Sequence, residues 1–373
     1  MLADLAPVAI PPRRGPNQAH RIDLILIGAR GKVGSAFRRQ LGDRQPSLLS
    51  DANLDLRLLA GFDRRGFAFD ADGLVPESID SHIPERGPDD IERLMAHVAR
   101  RDGERTLVVD CTASDEIADI YPRLLRGGMG IVAANKRANA RSLTSYHDLQ
   151  RTARERGVPY RYETTVGSAI PLLGPLRDLR LRGERVISVQ GVLSGSLSYI
   201  LHRMHEGCLF SASVAEARAL GYTEPDPMED LRAIDLSRKL LVLAREAGFS
   251  MELEDLSIEP FVDLELGCDD LIPALQLADT GWKTRIAEAR EHGERWVALA
   301  EASREGGRIS LRRVPAHSGF AQLEPGQNLI SIRTELQDRM PLCVSGPGAG
   351  VEITAAGVLS DVVAASAHWM RRG

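Results

Sequence analysis

Asp235 and Lys239 stand four residues apart in the stretch GYTEPDPMEDLRAIDLSRKL, residues 221–240. Four further acidic residues and two prolines crowd the approach to that pair. At about 100° per residue, Arg232, Asp235, Lys239 and Glu246 fall on one narrow strip of a helix. Leu231 and Val242 flank the strip on one side, Leu236 and Leu243 on the other, and Ile234, Leu240, Leu241 and Ala244 complete an apolar surround. A helix apolar nearly all round is buried, so the strip faces either solvent or an internal cavity. In the first case Asp235 and Lys239 form an i,i+4 pair contributing a few tenths of a kcal/mol. In the second, a lysine beside carboxylates donates a proton to a developing alkoxide. Glu224 and Asp226, on a turn stiffened by Pro225 and Pro227, suit the clamping of an ammonium group.

A second candidate is GARGKVG, residues 28–34, directly after the apolar run IDLILIG (22–28). Its glycines, Gly28, Gly31 and Gly34, are spaced G-x-x-G-x-x-G, where a dinucleotide turn usually reads G-x-G-x-x-G. Gly28 permits a sharp turn, Gly31 lets backbone approach a pyrophosphate, and Gly34 lets helix pack on strand. The following helix N-terminus offers N–H groups and a positive dipole end to an anion. The second strand ends in GFDRRG (61–66). Asp63 there suits the ribose hydroxyls of NAD, whereas Arg30, Arg64 and Arg65 suit the 2′-phosphate of NADP, which the arginines slightly favour. Lys136, in VAANKRANA (132–140), follows another strand, where ligands of open α/β sheets sit. YETTVGSAIP (162–171) is a carbonyl-rich turn beside Glu163, compatible with a hard monovalent cation or with a plain turn. His202, His205 and Glu206 have zinc-like spacing but no evident further ligand, and read as helix-surface residues.

The elements that must position these groups alternate in the N-terminal half. Strands are expected at 22–28, 56–62, 106–111 and 129–135, with helices at 35–41, 91–101, 114–128 (distorted by Pro122) and 143–157. That alternation predicts an α/β fold with a doubly wound parallel sheet covered on both faces. Beyond residue 160 the pattern changes. A half-exposed strand at 185–193, helices to about residue 247, and strands at 295–301, 307–314 and 328–333 predict a mixed sheet with helices on one side. With 373 residues, two domains are expected. The first 20 residues read as a disordered tail.

Apolar residues make up 43% and charged residues 27%, with a net charge of −5. Nothing in these figures supports nucleic-acid binding. No run reaches the roughly 18 apolar residues of a membrane span. Four separated cysteines with no C-x-x-C read as reduced thiols of a cytoplasmic protein.

Together, DCTAS (110–114), ANKRAN (134–139), YETTVGSAIPLL (162–173), GVLSGSLSYIL (191–201), GYTEPDPMEDLRAIDLSRKL (221–240) and GPGAGVEITAAGVLSD (346–361) resemble the homoserine dehydrogenases, most closely the dehydrogenase half of bifunctional aspartokinase–homoserine dehydrogenases. The resemblance covers about residues 22–370. It implies reversible reduction of L-aspartate 4-semialdehyde to L-homoserine with NADPH or NADH, on the path to threonine, methionine and isoleucine, in a homodimer built through the mixed sheet. It implies a Rossmann-type dinucleotide domain over 21–160, completed by about 345–373, and a substrate-binding and dimerisation domain over 161–344. By resemblance, Lys239, Lys136 and Asp235 are catalytic, and Glu224, Asp230 and Asp235 hold or orient substrate. Gly28, Arg30, Gly31, Lys32, Val33, Gly34, Asp63, Arg64, Thr112, Ala113 and Lys136 are the expected cofactor residues. Glu163, Val166, Ser168 and Ile170 match a turn that binds Na⁺ or K⁺ mostly through backbone carbonyls. Arg30 departs from the family pattern, standing where a glycine or small residue is usual. No aspartokinase segment precedes the match and no room for a regulatory domain follows it, so threonine inhibition is not expected. Two rivals are a dehydrogenase of a related amino-acid semialdehyde and an inactive nucleotide-binding relative. A third, dihydrodipicolinate reductase, is disfavoured because no His-His pair occurs.

Overall fold

The computed structural model describes residues 19–82, 105–223, 226–259, 261 and 271–370. The tail up to residue 18, the helix expected at 91–101, Glu224 and Cys268 lie outside the described residues.

Two six-stranded sheets form the frame. The first half of the chain runs β1 (His20–Ile27), α1 (Lys32–Ala52), β2 (Leu54–Asp63), β3 (Gly66–Phe69), β4 (Thr106–Asp110), α2 (Asp115–Asp119), α3 (Tyr121–Arg126), β5 (Gly130–Ala133), α4 (Leu143–Arg156) and β6 (Tyr160–Arg161). Its strand order is β3-β2-β1-β4-β5-β6, parallel throughout except at one edge. There β2 turns back into β3, an antiparallel edge strand on the expected doubly wound parallel sheet. Alternation along β1 explains the double cover. Ile22, Leu24 and Leu26 pack with Phe37 and Leu41 of α1, while Ile25 and Ile27 join Tyr121, Leu124 and Leu125 of α3 on the opposite face. Pro122 breaks the helix expected at 114–128 into α2 and α3.

The second half runs α5 (Leu173–Leu181), β7 (Val186–Val192), α6 (Gly195–His205), α7 (Phe210–Ala219), α8 (Pro227–Leu231), α9 (Ile234–Ala247), β8 (Leu256–Ile258), α10 (Leu271–Glu291), β9 (Glu294–Ser303), β10 (Gly306–Pro315), β11 (Gln327–Thr334), β12 (Leu342–Pro347) and α11 (Val351–Met370). The sheet order is β12-β11-β7-β9-β10-β8, antiparallel apart from the β8–β10 pair. Leu240, Leu241 and Ala244 of α9 pack with Val189, Ala300 and Ile330 on one face. After β12, α11 places Ala355, Val358, Val362 and Ala365 into the core around β1 and α1.

His205 differs from its expected place on a helix surface. Its ring Nε2 accepts the Trp296 N–H at 2.9 Å, fastening α6 to β9. Burial and the nearby Arg295 push its pKa down to about 4. Among the described residues no group of three or more His, Cys, Asp or Glu could hold a metal ion, and no helix is long and apolar enough to cross a membrane. Cys111, Cys208 and Cys343 are free thiols.

Candidate active site

The glycine turn has the geometry its spacing implies. Gly28 has φ +81°, in the left-handed region that only glycine enters freely. A Cβ on Gly34 would stand 2.1 Å from the Gly28 carbonyl oxygen, so α1 approaches β1 only with glycine there. The N-terminus of α1 has no side-chain cap and no acidic residue in its first turn. Its N–H groups therefore remain for an anion, and Lys32 stands exposed beside them. These features fit the pyrophosphate of a dinucleotide.

Arg30 reaches from this turn to the end of β2. Its Nε and Nη2 both donate to the Asp63 carboxylate, the latter at 2.8 Å. Asp63 also accepts the Arg65 N–H at 2.7 Å. Against partial burial, Arg30 and the Arg65 backbone hold the Asp63 carboxyl below its usual value. Arg64 is exposed at the hairpin tip.

Behind the cofactor loops, Asp110 ends β4 fully buried. It accepts from Tyr121 Oη at 2.7 Å, Asn135 Nδ2 at 3.0 Å and Thr112 N at 2.8 Å. Burial raises its pKa against those donors. Asn135 also donates to the Ser114 carbonyl at 2.8 Å. The two strand-end turns carrying Thr112–Ala113 and Lys136 are thereby tied to one another.

A cleft of about 1150 Å³ opens between these turns and the second sheet. Val33, Thr112, Ala113 and Lys136 line it from the nucleotide side; Asp230, Asp235 and Lys239 line it from α8 and α9. Lys239 Nζ lies 2.9 Å from Asp235 Oδ2 and donates to the Leu193 carbonyl at 3.1 Å. Lys136 Nζ lies 3.0 Å from the other Asp235 oxygen. The side chains of Lys239, Lys136 and Asp235 are 14%, 29% and 39% exposed, so the amine at 239 is inside the cleft. Although burial opposes it, the two ammonium groups hold the Asp235 carboxyl far below the usual carboxylate range. One carboxylate between two lysines leaves a net positive charge where a carbonyl oxygen would gain negative charge. Ser196 Oγ donates to Asp230 Oδ1 at 2.6 Å.

The turn over residues 163–170 departs from one expectation. The Glu163 carboxylate is not free beside it. It accepts the N–H groups of Leu172, Leu173 and Gly174 (2.8 Å for Gly174) and so caps α5. The Glu163 N–H donates to Asp361 of α11 at 2.8 Å. Val166, Ser168 and Ile170 are buried, with Ser168 at φ 55°. What this turn can offer a cation is neutral backbone carbonyl oxygen, a donor set that fits a hard ion of low charge.

Several lining residues were missed from the sequence. Ser196, Tyr222, Gln322 and Glu324 reach the cleft from three separate segments, and no local spacing joins them. One available signal was overlooked. Of 47 lysines and arginines only four are lysines, at 32, 136, 239 and 283, and two of these meet at Asp235. A chain that uses arginine almost everywhere has kept lysine where a compact amine matters.

The comparisons fall in line with this geometry. The family model described as homoserine dehydrogenase matches residues 171–363, and the model described as its NAD binding domain matches residues 30–163. The chain belongs to the homoserine dehydrogenase family. It is 33% identical over 270 residues to the homoserine dehydrogenase of Schizosaccharomyces pombe, covering 69% of this chain and 72% of that protein. It is 32% identical over 357 residues to the bifunctional aspartokinase/homoserine dehydrogenase of Haemophilus influenzae, covering 94% of this chain and 44% of that protein. The chain thus spans less than half the length of that bifunctional relative. A hyperthermophilic archaeal homoserine dehydrogenase solved in complex with NADPH shares the fold, at a TM-score of 0.72 and 22% identity over 93% of this chain and 98% of that one.

Proposed function

We propose that this chain is an NAD(P)-dependent homoserine dehydrogenase that interconverts L-aspartate 4-semialdehyde and L-homoserine in amino-acid biosynthesis. The observation carrying this reading is the convergence of Lys136 and Lys239 on Asp235, inside a cleft that Val33 of the glycine turn lines together with Thr112 and Ala113.

A bound nicotinamide cofactor supplies or accepts the hydride at the substrate's terminal carbon. The chain's own residues handle the charge. In reduction, the aldehyde oxygen gains negative charge as its carbon gains hydride. Lys239 donates a proton or hydrogen bond to that oxygen and Lys136 lowers the cost of the charge. Asp235 orients both amines, and with its depressed pKa it stays ionised across the working range. Asp230, held by Ser196, and Glu224 take the substrate's ammonium end. Gly28, Gly31, Lys32, Val33 and Gly34 would hold the pyrophosphate, and Thr112 and Ala113 would bind the cofactor where they line the cleft.

NADP is the favoured cofactor in this reading. Arg30 occupies the Asp63 carboxylate with two hydrogen bonds, withdrawing it from ribose hydroxyls, and Arg64 adds positive charge nearby. The carbonyls of Glu163, Val166, Ser168 and Ile170 hold Na⁺ or K⁺. Residues 21–160 with about 345–373 make the dinucleotide domain, and 161–344 the substrate and dimerisation domain. Two copies pair through the helix-free face of the second sheet, which carries Ser188, Gln190, Glu301 and Arg333. Leu336 and Met340, 83% and 84% exposed in the loop before β12, support that pairing. The free thiols accord with a cytoplasmic setting.

The test is oxidation of L-homoserine by the purified chain, followed at 340 nm with NADP⁺ and NAD⁺ separately, each with and without K⁺ or Na⁺. Turnover with either cofactor is expected, faster with NADP⁺. Absence of turnover in every condition refutes the proposal.

A further inference from the structure

The charged strip of α9 continues past the cleft. Glu246 lies seven residues beyond Lys239, on the same side of the helix and about 10 Å further along its axis. It is 3% exposed and does not line the cleft. Its carboxylate accepts hydrogen bonds from Tyr146 Oη at 2.8 Å, from Tyr162 Oη, and from Arg177 Nη2 at 3.2 Å. Arg180 Nη1 donates to its backbone carbonyl at 3.0 Å. Tyr146 belongs to α4 of the nucleotide-binding half, and Tyr162 directly follows β6, the last strand of the first sheet. Burial raises both tyrosine pKa values, keeping them neutral donors.

The preceding residue, Arg245, is buried and reaches the same half by another route. It donates to the carbonyls of Asn139 at 2.7 Å and Arg141 at 2.6 Å, in the stretch that follows Lys136. It also pairs with Glu252 at 2.8 Å, whose carboxylate accepts the Leu143 N–H at the start of α4. A buried ion is costly unless fully partnered, and removing one partner leaves the other uncompensated. Packing alone is met at 240–244 by Leu, Leu, Val, Leu and Ala. The charges at 245 and 246 instead give α9 a directional attachment to the elements that carry Lys136.

We infer that Glu246 is a positioning residue. By fastening α9 to Tyr146 and Tyr162 it fixes where Lys239 stands relative to Lys136 across the cleft. Its kinetic consequence rests on the proposed dehydrogenase reading; its structural consequence does not. Displacing a reacting group by about 1 Å costs on the order of 10²-fold in rate.

The lysine scarcity makes the test clean. The purified full chain is treated briefly with an amine-acylating reagent and each lysine is quantified by mass spectrometry, with exposed Lys283 as internal reference. Glu246→Gln and Tyr162→Phe are each expected to raise Lys239 labelling at least threefold over Lys283. Both are expected to lower kcat about tenfold with KM for homoserine within twofold. In a Lys239→Ala background, Glu246→Gln is expected to lower kcat by less than twofold, because the amine it positions is gone. Unchanged Lys239 labelling in both variants overturns the inference, and so do kcat losses that multiply in full with Lys239→Ala. If Glu246→Gln fails to fold, Tyr162→Phe carries the same readouts. A wild-type chain inactive on homoserine sinks the proposed function and leaves labelling to decide the inference.

Discussion

Two carboxylates in this molecule face cations near the carboxyl ends of strands of the first sheet, and they are built differently. Asp63, at the glycine turn, meets one guanidinium through two parallel hydrogen bonds, giving a neutral and rigid pair. Asp235, in the cleft, meets two primary amines, one from each half of the chain, and leaves a positive excess. A guanidinium keeps its proton in any protein setting and fixes a plane. An ammonium is a compact donor that gives up a proton when its surroundings demand it. The first arrangement suits recognition, the second suits reaction.

The largest expected effect breaks the second arrangement. Lys239→Ala should lower kcat by about 10²-fold, within the range for losing a general acid, with the circular-dichroism spectrum unchanged. Near-normal turnover would remove Lys239 from the chemistry. Arg30→Ser breaks the first arrangement and should leave kcat within about twofold. Its expected effect is on KM for NADP⁺, raised about tenfold, or about 1.4 kcal/mol, while KM for NAD⁺ holds or falls because Asp63 becomes free for ribose. Equal changes for both cofactors would show that Arg30 does not discriminate.

Acid sharpens the contrast further. Because the pKa of Asp235 is depressed on folding, its contribution to stability is present above the ordinary carboxylate value. It is lost as pH falls through the lower folded value. Asp235→Asn should therefore melt about 2 °C below wild type at pH 7, a modest gap because the pair is partly solvated. The gap should narrow below about pH 3.8; a gap independent of pH would contradict the assignment. The smallest effect concerns Ala233, which starts α9 at φ 57° and is buried. Ala233→Gly should raise stability by up to about 1 kcal/mol, since only glycine adopts this conformation without strain. Thermal unfolding reads it directly, and a lowered melting temperature would count against strain at this position.

How much of this was legible follows from where each signal lives. The buried strands β1 and β4 carry the apolar runs LILI (24–27) and LVV (107–109), and α4 ends at Gly157 in the left-handed conformation its glycine suggests. The edge strands were hidden. β3 has four residues after a charged turn, β8 has three, and β12 alternates half-buried with exposed positions. Asp235 and Lys239 were visible because helical spacing is local. Their sharing of Asp235 with Lys136 was not, since Lys136 lies about a hundred positions earlier and only the packing of α9 on the Lys136 turn joins them. Glu163 shows the reverse case. Its place in a carbonyl-rich turn was legible, while the cap its carboxylate makes on a helix ten residues on was not.

The most direct test of the central claim is a crystal structure of the chain with L-homoserine and NADP⁺ bound together. The substrate hydroxyl is expected within hydrogen-bond distance of Lys239 Nζ, with Lys136 Nζ beside it and Asp235 touching both amines. A hydroxyl beyond reach of both amines would contradict the account.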